Sequence, residues 1–340
     1  MLRRRLLTIS TMFALVVVCV NAQKVVSPSS LPEQSLSGTI RIWGNDRMDA
    51  LMKQWQAGFR EHYPNVRFET RLIGTGTGMA GLYTNVADIA LMGRDATPSE
   101  VMAFEWVFKY KPLGVEVATG SLDVPGKAFA LGVFVNQDNP ISKLTVAQLD
   151  AIFGSEHLRG PGNLRTWGDL GLTGEWKNKA IDSYGYDAET NTSAFFKRVV
   201  LNGSDKWSCD LKEFADLDRP DRTKTDASEQ ILGALAHDRY GIAYANLRYL
   251  NKHVKSVSLS STEDGPFEAA TRLSLIQRKY PLTRAASIYI NRESGKPIDL
   301  KLKAFLSYIL SREGQQVVRR EGDFLPLSEE SVREQVRKLE

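Results

Sequence analysis

Ile73-Gly74-Thr75-Gly76-Thr77-Gly78, followed after a short apolar-polar stretch by Ala87-Asp88-Ile89-Ala90-Leu91-Met92-Gly93-Arg94, is the part of the chain whose reading decides the fold. Three glycines alternating with two threonines make a turn that can adopt positive φ and expose backbone N–H groups, with two hydroxyls as further donors. Met79 to Val86 reads as a helical turn or two. An anion lying against its first turn would meet unpaired N–H groups and the positive end of the helix dipole. The competing reading is a plain loop before a surface helix. A Walker loop is excluded by the missing Gly-Lys-Ser/Thr ending, and a dinucleotide fingerprint by the spacing of the third glycine.

Working outward, Thr39 to Trp43 alternates at period two like a strand and Gly44-Asn45-Asp46-Arg47 is a turn. Met48 to His62 then sets Met48, Leu51, Met52, Trp55 and Phe59 on one helical face, and Tyr63-Pro64-Asn65 ends it. Val66 to Ile73 is the next strand and Asp88 to Met92 the third. Strand, helix, strand, helix, strand predicts a parallel sheet with crossover helices, and such sheets bind ligands at the carboxyl ends of their strands. Those ends are Gly44 to Arg47, Gly74 to Gly78 and Gly93 to Asp95, three turns converging on one crevice.

Further on, Thr97-Pro98-Ser99-Glu100 is a capping box opening a helix to Tyr110. Ala128 to Asn136 is a strongly apolar strand, and Thr145 to Phe153 a short helix. Gly154 to Lys179 is loop-rich, with Trp167 and Trp176 as anchors on the second domain or, in the sharper reading, as walls of a ligand cleft. Ile181 to Tyr186 is a strand. Thr190-Asn191-Thr192-Ser193 opens the helix that follows, a second anion site of the same physical kind or simply an N-cap cluster. A helix over Ala227 to Asp238, strands over Gly241 to Tyr244, Lys255 to Leu259 and Leu282 to Asn291, and helices over Leu300 to Ser311, Glu313 to Arg320 and Ser328 to Glu340 complete the reading.

The 340 residues, 42% of them hydrophobic, can hold two domains and an ordinary core. Arg3, Arg4 and Arg5, the apolar run Leu6 to Val20 and the small-residue site Val20-Asn21-Ala22 form a secretory signal peptide, residues 1–22. The mature chain is expected to begin at Gln23 in the periplasm, with a Ser-, Pro- and Gln-rich flexible leader over 23–37. Lipid attachment at Cys19 is opposed by Val16, Val17 and Val18 before it. The formal charge of +4 owes three units to the signal arginines, so the mature chain carries +1 and lacks the basic field that nucleic-acid binding requires. Cys209 is then the only thiol, leaving no intramolecular disulfide. The histidines, His62, His157, His237 and His253, have no metal-ligand spacing.

Several stretches, in order, resemble the PstS-like phosphate-binding proteins of ABC importers, in the type 2 periplasmic binding protein superfamily. They are Gly74-Thr75-Gly76-Thr77-Gly78, Ala87-Asp88-Ile89-Ala90 with Arg94, Ala130 to Asn136 with Asn139-Pro140, Tyr240-Gly241-Ile242-Ala243-Tyr244, Tyr280-Pro281-Leu282-Thr283-Arg284, and Ser311-Arg312-Glu313-Gly314-Gln315. The resemblance implies an α/β fold of two lobes, each a mainly parallel sheet flanked by helices, joined by two crossovers. It assigns 38–138 and 280–340 to lobe 1 and 139–279 to lobe 2, with Leu282 to Asn291 in the same sheet as Ala128 to Asn136. It further implies hinge closure on a small phosphate-like oxyanion, an ABC permease in the inner membrane as partner, and a monomer.

The chain also departs from that family. The first turn, usually Gly-Ser-Thr-Thr, is Gly44-Asn45-Asp46-Arg47; Gly93 stands where a Ser or Asp is common; and the second-lobe arginine and Ser-Gly-Thr are replaced by Tyr186, Thr190, Asn191 and Thr192. The candidate ligand-binding residues are therefore Asp46, Arg47, Thr75, Gly76, Thr77, Arg94, Thr190, Asn191 and Thr192. Arg94 or Arg47 would supply the charge, unless Arg94 pairs with Asp88 or Asp95 and Arg47 is solvated. The loss of the second-lobe arginine also admits a sensor or interaction module with another ligand or none. No nucleophile elbow, metal spacing or acid/base pair speaks for an enzyme, and no cofactor is expected.

Overall fold

The alternation at Thr39 to Trp43 folds as read because Ile40 and Ile42 need a common apolar side. In the computed structural model, which describes residues 36–218 and 224–340, both are fully buried beside Leu51, Met52, Trp55 and Phe59 of the helix that follows. Each large side chain so buried contributes about 1.5–3 kcal/mol. Trp55 also donates its indole N–H to the Gly314 carbonyl at 3.0 Å, which ties this helix to the C-terminal part of the chain. The signal peptide, and the leader as far as residue 35, lie outside the described residues.

The first lobe begins with β1 (Gly38–Gly44), α1 (Asp49–His62), β2 (Val66–Leu72), α2 (Gly76–Tyr83), β3 (Ile89–Leu91), α3 (Pro98–Phe108) and β4 (Leu113–Thr119). The second lobe follows with β5 (Leu131–Asn136), β6 (Lys143–Thr145), α4 (Val146–Phe153), β7 (Asp182–Tyr186), α5 (Asn191–Val199), β8 (Leu211–Phe214), β9 (Leu217–Asp218), β10 (Lys224–Thr225), α6 (Ala227–Ala236), β11 (Gly241–Asn246), β12 (Val254–Ser256), β13 (Ser258–Ser260) and α7 (Arg272–Ile276). The chain then returns to the first lobe as β14 (Ala285–Ile290), α8 (Leu300–Leu310), α9 (Arg312–Glu321) and α10 (Glu329–Arg337). Two five-stranded sheets result, ordered β2-β1-β3-β14-β4 and β12-β5-β11-β7-β8. Within them β1 pairs parallel to β2 and β3, and β7 parallel to β8 and β11, while β14 runs antiparallel to β3 and β4. Both faces of β5 and β11 are buried, as expected of strands covered on two sides.

One expectation fails. β14 lies in the first sheet and β5 in the second, so Leu282 to Asn291 and Ala128 to Asn136 do not share a sheet, and a lobe boundary at 138/139 falls after β5 instead of before it. The apolar run at Ala128 reads from the sequence as the last strand of lobe 1. That place belongs to β4, which the sequence reading left without a strand although Val115 and Val117 alternate and are fully buried. The return of the chain to the first lobe is unaffected. The two crossovers run side by side there: Gly120 N–H donates to the Arg284 carbonyl at 2.8 Å, and Leu131 N–H to that of Leu282 at 3.4 Å. A Cβ on Gly120 would overlap the Ala128 carbonyl oxygen, so this approach requires glycine.

The glycine-threonine stretch also differs from its reading. α2 starts at Gly76, not Met79, and of the three glycines only Gly74 has positive φ, at 128°. Gly78 and Gly81 lie inside the helix instead, where a Cβ would come within 3.0 Å of Met92 Sδ and of Ala87 respectively. Their smallness lets α2 lie close to the sheet. At α3 the capping box is present: Glu100 N–H donates to Thr97 Oγ1 and Thr97 N–H to the Glu100 carboxylate.

Candidate functional site

The carboxyl ends of β1, β2 and β3 are neighbours because Gly44 pairs with Leu72 on one side and Leu91 on the other. Asn45 fastens the first turn to the third: its N–H donates to the Leu91 carbonyl at 2.8 Å and its side-chain amide to that of Met92 at 3.2 Å. Asp46 and Arg47 follow on the exposed side and form no ion pair among the described residues. Arg47 instead packs on the first crossover, where a Cβ on Gly126 would overlap its guanidinium.

In the second turn Thr77 spends its hydroxyl on the Gly74 carbonyl, at 2.7 Å. Thr75 does not cap α2 with its side chain, and nothing among the described residues accepts from the N–H groups of Thr75 and Gly76. The opening of α5 is alike. Thr190 caps it by accepting from Ser193 N–H, Ser193 donates to the Tyr186 carbonyl, and the N–H groups of Asn191 and Thr192 remain without acceptors. Both helices thus present the unpaired donors on which an anion rests.

Arg94 is committed elsewhere. It makes a two-pronged pair with Glu100, both contacts 2.9 Å, and donates to the Asp95 carbonyl at 2.7 Å. Burial alone would raise the Glu100 carboxyl, but Arg94 and the Thr97 N–H together hold it below its ordinary value. The internal partner of Arg94 is therefore Glu100, while Asp88 pairs with Arg41 at 2.7 Å. Tyr186, standing where the resemblance puts an arginine, shares a 2.6 Å hydrogen bond with Ser228, and burial pushes its pKa up, so it brings no charge.

A further positive charge lies between the lobes, in the Tyr280 to Arg284 stretch that carries part of the family resemblance. Arg284, in the second crossover, is only 7% exposed. Its guanidinium sits over the rings of Phe129 and Phe195 at 5.6 and 5.2 Å, with no carboxylate or carbonyl partner among the described residues. Burial lowers its pKa to about 10, and the charges of Asp95, Arg94 and Arg198 are near enough to be felt, so it remains ionised at neutral pH. Asp95 sits across from it on the third turn, accepting from Ser287 Oγ at 3.2 Å and, across the cleft, from Arg198 of α5 at 2.5 Å. Only a lone arginine in the apolar stretch leading into β14 signalled any of this. Among the described residues these elements offer one buried cation, four N–H groups without acceptors and two uncommitted threonine hydroxyls, groups of the kind that hold an anion.

Comparison with known proteins agrees with this architecture. A family model described as a PBP superfamily domain matches residues 29–313. The phosphate-binding protein PstS of Pseudomonas aeruginosa is 31% identical over 341 aligned positions, covering 99% of this chain and 98% of that one. Among solved structures, PstS from Borrelia burgdorferi superposes with a TM-score of 0.56 at 16% identity, covering 86% of this chain and all of that one. An ABC-type phosphate transport receptor from Vibrio cholerae gives 0.53 at 18% identity, covering 84% and 99%. From the two-lobed fold, the family model and the full-length relative together, the chain belongs to the PBP superfamily, among the PstS-like proteins.

Proposed function

We propose that this chain is an exported solute-binding protein that closes its lobes on a phosphate-like oxyanion and hands it to an ABC permease in the inner membrane. The observation that carries the reading is Arg284: a buried, ionised guanidinium with no carboxylate paired to it among the described residues, at the junction of the lobes and near the turn carrying Asp95. A largely buried cation without an ion-pair partner is costly unless an anion completes it. Arg284 thus replaces, from the crossover, the charge lost at Tyr186. The N–H groups of Thr75 and Gly76 on one lobe and of Asn191 and Thr192 on the other supply directional donors, with the hydroxyls of Thr75 and Thr192. Arg94 serves to shape the third turn, and Arg47 lies at the periphery against Gly126. Names of relatives support phosphate as the ligand class. The arginine-rich n-region and apolar run at the N-terminus support export to the periplasm. The name of the full-length relative, a phosphate-binding protein, supports binding without turnover.

Titration calorimetry of refolded, ligand-free protein with inorganic phosphate tests this. The wild type binds, and Arg284→Gln weakens binding by about 30-fold to several thousand-fold, the equivalent of about 2–5 kcal/mol for a buried charged hydrogen bond. Absence of phosphate binding by the wild type would favour the sensor or interaction module that a neutral, core-facing Tyr186 suggests.

A further inference from the structure

Thr192, Phe195 and Arg198 follow one another at intervals of three on α5 and so share a face of that helix. Two of them reach across to the other side of the cleft. Arg198 meets Asp95 of the first lobe at 2.5 Å, and the Phe195 ring lies 5.2 Å from the guanidinium of Arg284. Phe195 also receives the guanidinium of its own neighbour Arg198 at 5.5 Å. Phe129 of the first crossover stands 5.6 Å from Arg284. An aromatic and cationic series thus runs from the first crossover to the mouth of the cleft: Phe129, Arg284, Phe195, Arg198.

Three different parts of the chain make this series, and that matters for how it works. Phe129 and Arg284 belong to the two crossovers, whereas Phe195 rides on the second lobe. Phe195 and Phe129 are 7% and 8% exposed, so neither ring is a surface group. Arg284 and Arg198 repel each other, and desolvation disfavours the charge on Arg284. An aromatic face is the one apolar surface that attracts a guanidinium while excluding water from it. A Leu or Met in its place would exclude water equally but would leave the cation unsupported.

We infer that Phe195 is a positioning residue for the anion site: its ring aims and dries the Arg284 guanidinium, and its place on α5 makes that drying depend on the approach of the second lobe. The inference rests on the oxyanion reading above. When the lobes meet, Phe195 covers Arg284 and the N–H groups of Asn191 and Thr192 arrive on the same helix. The charge is therefore strongest in the state in which the second lobe's donors are also in place, because removing water strengthens an electrostatic contact.

The test compares Phe195→Leu, which keeps apolar volume and removes the π face, with Phe195→Tyr, which restores it. Inorganic phosphate is titrated into wild type, both variants and Arg284→Gln, with thermal melts of each alongside. The expected result is a loss of about 3- to 30-fold in phosphate affinity for Phe195→Leu, the range of a partly desolvated cation–π contact, with Phe195→Tyr within about threefold of wild type. If Phe195→Leu folds poorly, Phe195→Met takes its place with the same expected outcome. Should Phe195→Leu bind like wild type while Arg284→Gln does not, the positioning role is wrong and the oxyanion site stands. Equal weakening in the Leu and Tyr variants would assign Phe195 to packing alone. Wild-type protein that ignores phosphate, or an Arg284→Gln that binds it normally, would remove the site and the role of Phe195 together.

Discussion

The turn that carries Arg94 and the crossover that carries Arg284 bring two guanidiniums close enough to influence each other, yet the two are in opposite states. Arg94 is paired with Glu100 and donates to the Asp95 carbonyl, while its buried Nε–H has no partner among the described residues. Arg284 is more deeply buried and has two rings and no paired carboxylate among the described residues. The difference teaches that proximity to a cleft does not make an arginine a ligand-binding one. A charge paired with a carboxylate inside the protein holds a turn in shape, whereas a largely buried charge without an ion-pair partner is available to a ligand.

The contrast breaks most visibly in binding. Arg284→Gln is expected to lose about 30-fold or more in phosphate affinity, whereas Glu100→Gln, which leaves Arg94 charged but halves its pairing, should change it by no more than about threefold. A calorimetric series on both variants checks this, and comparable losses would erase the distinction between the two arginines.

Stability should show the reverse order. Breaking the largely buried Arg94–Glu100 pair by Arg94→Ala leaves a carboxylate without its cation, with an expected cost of about 1–3 kcal/mol in urea unfolding. Unchanged stability in that variant would mean that the pair does not hold the third turn.

The pair also carries a pH signature of definite sign. The carboxyls of Glu100 and Asp88 lie below their ordinary values in the folded protein, because hydrogen bonds from Arg94 and Arg41 outweigh burial. Depressed carboxyls contribute stability that is fully present above the unfolded values near pH 4 and is lost as pH falls through the folded ones. Stability measured from pH 6 to pH 3 should therefore fall below about pH 4.5, and less steeply in Glu100→Gln. A variant with the same slope as wild type would exclude Glu100 as a source.

The smallest effect belongs to the contact across the cleft mouth. Arg198 and Asp95 are 50% and 32% exposed, so their attraction is screened and worth about 0–1 kcal/mol. Arg198→Gln should weaken phosphate binding by no more than about fivefold at low salt, and the deficit should shrink in 0.5 M NaCl as the Debye length falls. A deficit that grows with salt would contradict an electrostatic origin.

Much of the fold was legible because its signals are local. Period-two alternation at Ile40 and Ile42, the helical face of Leu51, Met52, Trp55 and Phe59, and the Thr97–Glu100 capping box each act within a few residues and appear where they were read. The assignment of β5 was not legible, since a fully buried strand reads the same in either sheet and partner choice is set by contacts far away in sequence. β4 was overlooked in a short segment with glycine in its second position. In the proposed site, hydroxyl and glycine patterns single out the glycine-threonine turn and the start of α5 as anion-site candidates, and in the structure both open helices with unpaired N–H groups among the described residues. Arg284 could not, because no sequence pattern shows that a guanidinium will be enclosed by Phe129, more than a hundred residues away, with Asp95 near enough to be felt but not paired to it.

The most direct measurement is a crystal structure of the protein grown with inorganic phosphate. The account predicts phosphate oxygens within about 2.7–3.0 Å of the Arg284 guanidinium and of N–H groups at Thr75 or Gly76 and at Asn191 or Thr192, with Arg94 still paired to Glu100. Phosphate held by Arg94 with the Glu100 pair broken, or bound anywhere that leaves Arg284 between its two rings without an anion, would contradict it.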